Sequence, residues 1–256
     1  MRLIVCGAFG RLGAAVCKLA AETDGTQIVA ATYNQKKEHT DFPIYREVSR
    51  IIEPSDVVIS CVPPTAAAEM LAILEYCATR RIPLVLCTTG MPAQVEAAIE
   101  KATKSVAVLR SANMSLGINL LSRLLRRISP LLHGTGFDIE IIEKHHNQKI
   151  DAPSGTAILL ADSINAAMDN RMQYTYNRSD THVKRNRDEI GIHALRGGTI
   201  VGEHTAVFAG RDEVIELTHI ATSREVFAVG ALKAAQFLQT KTHGLYTMDD
   251  VIGDTL

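Results

Sequence analysis

Residues 2–13 read RLIVCGAFGRLG and predict the first strand, loop and helix of an α/β fold. The apolar run from Arg2 to Cys6 predicts a buried strand, and the glycines after it precede apolar residues with helical spacing. Such a loop lets the backbone approach a pyrophosphate, and the helix N-terminus attracts the phosphate charge. The second and third glycines each come one residue later than in the usual dinucleotide fingerprint, so a purely structural strand–helix turn is the alternative. The candidate cofactor contacts here are Gly7, Ala8, Phe9, Gly10, Arg11, Leu12 and Gly13.

The end of the next predicted strand, Gln27 to Thr32, bears on which dinucleotide the chain binds. An acidic residue at this position would hold the adenosine ribose in a site that prefers NAD. The chain instead reads YNQKK from residue 33, so no carboxylate would repel a 2′-phosphate and two lysines lie nearby. Lys36 therefore favours NADPH, while Asn34 could serve a ribose hydroxyl equally well, and NADH stays open.

Two continuous apolar runs, Val57 to Ser60 and Leu84 to Cys87, predict central parallel strands that are covered on both faces. Ligands of open α/β sheets bind at the carboxyl ends of the strands, so the loops after these runs are candidate cofactor loops. A further strand, Val106 to Leu109, leads into the crossing to a second domain. The candidate cofactor contacts in these loops are Cys87, Thr88, Thr89, Gly90, Ser111, Ala112, Asn113 and Met114.

The second half of the chain has a different pattern. Strands predicted at residues 192–195, 205–209 and 214–221 follow one another without helices between them, which indicates an antiparallel or mixed sheet. A helix after Ser223 closes the fold, and the polar segment 170–189 has no clean periodicity. We therefore predict an α/β protein with a Rossmann-like, mostly parallel sheet and a second α+β domain.

Composition narrows the class of partner. With 256 residues, of which 46% are apolar, the chain can bury a full core. A formal charge of −1 and the lack of a sustained Lys/Arg block argue against nucleic acid or a membrane surface as the main partner, and favour a small molecule. The N-terminus lacks a signal-peptide layout, which predicts a cytoplasmic protein. The five cysteines lie in apolar segments without metal-ligand spacing, so we expect reduced thiols and no metal.

The densest group of reactive side chains lies in residues 143–156, which read EKHHNQKIDAPSGT. The group follows an apolar strand, and its second part supplies N-cap residues before a helical pattern. A helix N-terminus exposes N–H groups and a partial positive charge, so it can bind a carboxylate or phosphate. A surface cap, a metal site or a satisfied polar cluster would also explain the group. The candidate residues are His145, His146, Lys149, Ser154, Gly155 and Thr156.

Through these motifs the chain resembles the dihydrodipicolinate reductases, also called 4-hydroxy-tetrahydrodipicolinate reductases, of the diaminopimelate route to lysine. The resemblance covers nearly the whole chain, and its most specific part is the string HHxxKxDAPSGT from His145. Two departures matter: Tyr33 or Asn34 replaces the family's acidic residue, and Cys87 replaces the glycine that leads the Thr-Thr-Gly loop. The other matching motifs are the glycine loop, Ser111 to Ser115, Arg196 to His204, and Thr218 to Arg224.

The resemblance implies a reduction of dihydrodipicolinate to tetrahydrodipicolinate by NADPH, NADH or both. It places His145 at the position of the proton donor, and it leaves Lys149 either to assist the proton step or to hold the substrate. The cyclic dicarboxylate substrate would be bound by His146, Lys149, Ser154, Gly155 and Thr156.

The resemblance also implies a domain plan. Residues 1–113 and 224–256 would form a dinucleotide-binding domain from both chain ends. Residues 114–223 would bind substrate and assemble subunits, commonly into a homotetramer.

Two other functions stay open at this point. A related NAD(P)-dependent dehydrogenase of an acyclic amino or keto acid would share the glycine loop, but it would not need His145, Lys149 and the Ser-Gly-Thr turn together. A module that senses dinucleotides without turnover would leave the dense polar group unexplained.

Overall fold

The computed structural model describes residues 1–33, 40–179 and 182–253. The candidate cofactor residues Asn34 and Lys36 lie outside these ranges. The first sheet begins with six strands along the chain: β1 (Arg2–Cys6), β2 (Gln27–Thr32), β3 (Ile44–Tyr45), β4 (Val57–Ser60), β5 (Leu84–Leu86) and β6 (Ala107–Arg110). Three helices and a short 3-10 helix at Val48–Arg50 lie between them: α1 (Arg11–Ala21), α2 (Ala67–Arg80) and α3 (Ala93–Ala102).

Every strand pair in the first sheet is parallel. Its central strands β4 and β5 are fully buried because both faces are covered, and Ser60 is their one polar residue. Two separate groups of buried side chains pack on the two faces. The predicted Rossmann-like sheet is therefore confirmed.

The end of the chain completes this first sheet. Helix α6 (Glu225–Leu238) packs on it, and strand β12 (Gly244–Tyr246) pairs in parallel with β6, giving the order β12-β6-β5-β4-β1-β2-β3. A short helix, α7 (Met248–Ile252), follows. Gly230 in α6 allows a close approach, because a Cβ there would lie 1.7 Å from the Met114 carbonyl oxygen.

The middle of the chain forms a second sheet and two helices. Its elements are α4 (Leu116–Gly134), β7 (Asp138–His145), α5 (Gly155–Ala166), β8 (Gln173–Thr175), β9 (Glu189–Arg196), β10 (Gly202–Ala209) and β11 (Val214–Ala221). The strand order is β11-β10-β7-β9-β8, with β7, β8 and β9 parallel and β10 antiparallel to both of its neighbours. The prediction of a mixed sheet is confirmed.

The two faces of the second sheet differ. Side chains on one face, such as Ile141, Ala206 and Phe208, are buried against α4 and α5. The opposite face carries exposed apolar side chains, which are Ile142, Leu195, Val214 and Ile220. We call these four residues the open face.

By its internal contacts the chain separates into two units, one formed by Met1–Leu116 with the described residues from Arg224 onward, and the other by Gly117–Ser223. Helix α4 continues across Pro130, because its apolar face still packs in the core of the second unit through Leu132. The helix predicted after Ser223 is α6, and its N-cap is Arg224. Within the described ranges, no helix is long and apolar enough to cross a membrane.

Candidate active site

Strand β7 delivers two reactive side chains to the buried side of the second sheet. Residues in a strand alternate between faces, so Glu143 and His145 lie on the same face as Ile139 and Ile141. Lys144 points to the other face, where its Nζ is 2.9 Å from a carboxylate oxygen of Glu203. The strand thus places a carboxylate beside an imidazole at its end.

The Glu143 carboxylate is the most connected group in this region, and the residue is 0% exposed. Its Oε2 accepts hydrogen bonds from His145 Nδ1 at 2.6 Å and Arg196 Nη1 at 2.7 Å. Its Oε1 accepts from Arg196 Nη2 at 2.7 Å and from the Ser154 backbone N–H at 2.9 Å. One carboxylate therefore joins the ends of β7 and β9 to the residue before α5.

These contacts decide the ionisation of Glu143. Burial pushes the pKa of its carboxyl group up, but the hydrogen bonds from Arg196, His145 and the Ser154 N–H outweigh burial and lower the pKa overall. A buried ion pair costs desolvation energy, and only good geometry with further hydrogen bonds compensates for that cost. Glu143 meets this condition and is ionised at neutral pH.

His145 is buried beside this carboxylate. Burial lowers the pKa of its imidazole, the ion pair with Glu143 raises it, and the positive charges of Lys149 and Arg196 lower it further, so that the net shift is downward. The ring nitrogen far from Glu143 lies beside Gly202, where an added Cβ would come within 3.1 Å of Nε2. The glycine therefore leaves space at the nitrogen that Glu143 does not occupy.

The loop after β7 is tied to the turn after β9. The Gly197 N–H donates to the His145 carbonyl at 2.9 Å, and the Asn147 N–H donates to the Gly198 carbonyl at 3.2 Å. The Lys149 Nζ lies 2.8 Å from Asp151 Oδ1, and its side chain is 20% exposed. The hydrogen bond from Lys149 is the main reason why the pKa of Asp151 is lowered. His146 is half-buried in the same loop, and its carbonyl accepts from the Lys149 N–H.

Helix α5 begins at the end of this loop. Ser154 is its N-cap, and its Oγ accepts from the Ala157 N–H at 3.1 Å. Gly155 and Thr156 are the first helical residues, and the first turn contains no acidic side chain. These features suit the binding of a carboxylate.

A second buried histidine borders the helix start. The Nε2 of His204 lies 2.9 Å from Ser154 Oγ, and its ring packs edge-on against His145 with 5.1 Å between the ring centres. Burial, reinforced by the nearby charge of His145, lowers the pKa of His204 to about 4. His204 is therefore neutral at neutral pH.

The glycine loop in the first unit has the shape that a pyrophosphate needs. Gly7 has a φ of +75°, and a Cβ on Gly13 would lie 2.1 Å from the Gly7 carbonyl oxygen, so neither position accepts a side chain. Gly10, which has no side chain to cap the helix, is the N-cap of α1, and the first turn of α1 has no acidic residue. Phe9 packs edge-on against Tyr33, with 5.1 Å between the ring centres. These residues fit a dinucleotide phosphate at the helix start.

The other candidate cofactor loops lie along the same edge of the first sheet. Residues 87–90 follow β5 and residues 111–114 follow β6, so both loops leave carboxyl ends of parallel strands, as the glycine loop does after β1. The Thr88 hydroxyl donates to the Val62 carbonyl, while Met114 is buried. The candidate residues thus fall into two groups, the cofactor loops in the first unit and residues 143–156 in the second.

Sequence reasoning missed roles for Glu143, Arg196, Gly202 and His204. The signal for Glu143 was present, because it stands two residues before His145 in a predicted strand and must share its face. Arg196 lies 53 positions from Glu143 along the chain, and nothing local reveals that contact. Among the described residues no group of three His, Cys, Asp or Glu is arranged to hold a metal ion.

Comparison with known proteins gives consistent matches along the whole chain. A family model described as "Dihydrodipicolinate reductase, N-terminus" matches residues 1–114, and "Dihydrodipicolinate reductase, C-terminus" matches residues 117–252. The 4-hydroxy-tetrahydrodipicolinate reductase of Clostridium tetani is 44% identical over 97% of this chain and 96% of its own. That of Caldanaerobacter subterraneus subsp. tengcongensis is 46% identical over 98% of each chain.

Solved structures agree with the fold. The dipicolinate-bound dihydrodipicolinate reductase from Paenisporosarcina sp. TG-14 superposes with a TM-score of 0.77 at 20% identity, over 96% of this chain and 97% of that chain. A probable dehydrogenase from Thermotoga maritima gives a TM-score of 0.63 at 11% identity, over 98% of this chain and 92% of that chain. At such identities the likeness concerns the fold alone.

Proposed function

The chain belongs to the dihydrodipicolinate reductase family, and on that premise we propose that residues 143–156 form the site at which it reduces its substrate. The protein is a 4-hydroxy-tetrahydrodipicolinate reductase, an oxidoreductase that uses NADH or NADPH at the reduction step of the diaminopimelate route to lysine. The observation that carries the proposal is the Glu143 carboxylate, which joins His145 to the start of α5. A proton donor and a carboxylate-binding helix start are thereby held together.

His145 is the proposed proton donor. When bound, the dinucleotide supplies a hydride to one atom of the substrate ring, so another ring atom must receive a proton. His145 has a nitrogen that Glu143 leaves available, and Gly202 leaves space beside that nitrogen. The protonated imidazole gives up this proton and returns to its neutral form, which takes a new proton from water.

The two carboxylates of the substrate need cations and N–H donors. The proposed groups are the helix start at Ser154, Gly155 and Thr156, the ammonium group of Lys149, and His146. Lys149 is held by Asp151, an exposed carboxylate, so a substrate carboxylate can share or replace that partner. The partial charge of the helix N-terminus adds to this attraction.

The glycine loop is the proposed binding site for the pyrophosphate of the dinucleotide. Its residues Gly7 to Gly13 combine a close backbone approach with the N-terminus of α1. Residues 87–90 and 111–114 line the same sheet edge and complete the proposed cofactor contacts. The roles of Asn34 and Lys36 stay predictions from the sequence.

We further propose that residues 1–113 and 224–256 serve the dinucleotide, and that residues 114–223 serve the substrate and subunit assembly in a cytoplasmic homotetramer. The open face supports assembly, since its exposed apolar side chains Ile142, Leu195, Val214 and Ile220 lie on one side of a sheet. Light scattering tests this directly, because a mass of one chain in solution would contradict it.

The test of the function is turnover by purified protein with NADPH or NADH and enzymatically generated substrate. The wild-type protein should oxidise the reduced cofactor, so the nicotinamide absorbance should fall. If the absorbance falls with neither NADPH nor NADH, the proposal is refuted. We expect His145→Ala and Lys149→Ala each to lower kcat about a hundredfold or more, because acid catalysis or charge stabilisation is lost. Both variants should keep the wild-type circular dichroism spectrum. Near-normal turnover in both would contradict the assignment of this site.

A further inference from the structure

The carboxylate of Glu143 has no free accepting position. Its two oxygens provide about four lone-pair sites, and the four donors described above fill them: Arg196 twice, the His145 ring once and the Ser154 N–H once. The three residues that supply these donors come from different parts of the site, namely the end of β9, the end of β7 and the start of α5. A group that only filled space would not need such complete coordination.

We propose that Glu143, held by Arg196, is a positioning residue that fixes the reactive nitrogen of His145 and the place of the α5 start together. The inference rests on the proposed function, in which His145 supplies the proton and the α5 start binds a substrate carboxylate. Glu143 is buried and acts through these two groups.

The first part of the inference follows from hydrogen-bond chemistry. An ionised carboxylate can only accept hydrogen bonds, so the hydrogen between Glu143 and His145 belongs to Nδ1. The proton that reaches the substrate therefore leaves from Nε2. In that step the Nε2–H bond breaks and its electron pair stays on Nε2. The released proton forms a new bond with the substrate ring atom. His145 ends as the neutral imidazole with its hydrogen on Nδ1.

The surroundings of Nε2 agree with this direction. Gly202, the first residue of β10, faces Nε2 so closely that a Cβ would come within 3.1 Å of it. The space beside Nε2 thus depends on the absence of a side chain at this position. On the Nδ1 side, the Glu143 carboxylate already occupies the place that a substrate atom would need.

The second part concerns the start of α5. The Ser154 N–H donates to Glu143 Oε1, and Arg196 Nη2 donates to the Asp151 carbonyl at 2.6 Å. Glu143 and Arg196 therefore hold both sides of the turn that leads into the helix. A shift of the Glu143 carboxylate would move the proton donor and the carboxylate site at the same time.

The decisive variant is Glu143→Gln. A carboxamide has only one oxygen that accepts hydrogen bonds. Its NH₂ group is itself a donor and cannot accept from an N–H group, so Gln cannot replace all four hydrogen bonds of Glu143. We expect kcat to fall about a hundredfold and KM for the dicarboxylate to rise. The negative charge of Glu143 raises the pKa of His145, so its removal should lower that pKa. Since the proton donor is protonated His145, activity should then fall at a lower pH than in the wild-type protein. The Kd for NADPH should stay unchanged.

The matched control is Glu140→Gln on the same strand. Glu140 also accepts from arginines and a histidine, but on the other face of the sheet. It should keep the wild-type kcat within about twofold and keep the wild-type pH profile, since it touches neither His145 nor α5. A merely structural role for Glu143 would lower activity without moving the pH profile, and that result would overturn the inference.

A second pair of variants covers the case in which Glu143→Gln does not fold. Gly202→Ala should lower kcat about tenfold because it crowds Nε2. Gly197→Ala, in the turn between β9 and β10, keeps the backbone N–H that donates to the His145 carbonyl. Its added Cβ meets only Leu195 at an ordinary 3.7 Å, so this variant should keep the wild-type kcat. Equal kcat in the two variants would overturn the assignment of Nε2. Inactive wild-type protein would instead refute the proposed function, so the two failures are distinguishable.

Discussion

Strand β7 contains two glutamates, Glu140 and Glu143, whose side chains lie on opposite faces of the second sheet. Each contacts a histidine and at least one arginine. The inner cluster consists of Glu143, His145 and Arg196. The outer cluster consists of Glu140, His193, Arg178 and Arg185, in which Glu140 Oε1 accepts from Arg178 at 2.9 Å and Arg185 at 3.2 Å, and Oε2 lies 2.8 Å from His193 Nε2. The types of side chain alone therefore do not distinguish the proposed catalytic cluster from a structural one.

The clusters differ in what surrounds them. The Glu143 side chain is fully buried, whereas the side chains of Glu140 and His193 are 21% and 41% exposed. The inner carboxylate is also tied to a helix start, while the outer one is tied to the segment between β8 and β9. Burial and the attached element, rather than the Glu-His-Arg set, thus distinguish the proposed catalytic cluster from the outer one.

The outer cluster explains the polar segment that the sequence left unassigned. Arg178 and Arg185 both come from it, and Arg185 also donates to Asp138 and to the Ile139 and Glu189 carbonyls. These contacts fasten the described residues of the segment to the sheet. Charged residues without periodicity are the expected sequence of such a segment.

The largest change that we expect is a loss of stability in acid, caused by His204 on the inner face of the sheet. The pKa of buried His204 is about 4 in the folded protein and about 6.5 when unfolded. The unfolded chain therefore binds the proton first, and folding stability falls as the pH drops from about 6.5 to 4, by about 3 kcal/mol. His204→Gln should lack this part of the loss in urea unfolding.

The control for His204→Gln is Thr205→Val. This variant changes the next residue of the same strand, and neither threonine nor valine titrates. It should keep the wild-type dependence of unfolding free energy on pH. If His204→Gln loses as much stability in acid as the wild-type protein does, the buried neutral state of His204 is wrong.

A smaller loss of unfolding free energy is expected when the glycine beside a cluster is replaced. Gly202 leaves space beside His145, and Gly191 does the same for Glu140, since a Cβ on Gly191 would lie 1.6 Å from Glu140 Oε2. We expect Gly191→Ala to lower the unfolding free energy by about 2 kcal/mol with little change in kcat. Gly134→Ala, where nothing lies within 4 Å of an added Cβ, should cost nothing measurable in the same urea titration.

The smallest effect concerns turnover after a change in the outer cluster. Arg185→Lys loses the planar group that reaches Asp138, Glu140 and two carbonyls, so the segment between β8 and β9 should be cleaved faster in limited proteolysis. Its kcat should stay within about twofold of wild type. A large loss of turnover would remove the functional distinction between the two clusters.

The sequence predicted the fold well because its signals are local. Continuous apolar runs such as Val57 to Ser60 identify central parallel strands, and the glycine loop identifies the first strand–helix unit. The site was predicted less completely. The His145 to Thr156 string is local, but the contacts of Glu143 with Arg196 and of Ser154 with His204 join residues about fifty positions apart. Such contacts depend on strand order and register, which one sequence does not reveal.

The return of the chain to its first sheet has a consequence for synthesis. Strand β6 is made before the second unit, but its neighbour β12 is not made until residues 244–246. All strands of the second sheet, by contrast, are complete at Ala221. On the ribosome the second sheet can therefore close while the first still has an unpaired edge, and unpaired strand edges promote aggregation. Strand β12 therefore covers the β6 edge, which stays unpaired while the whole second unit is synthesised.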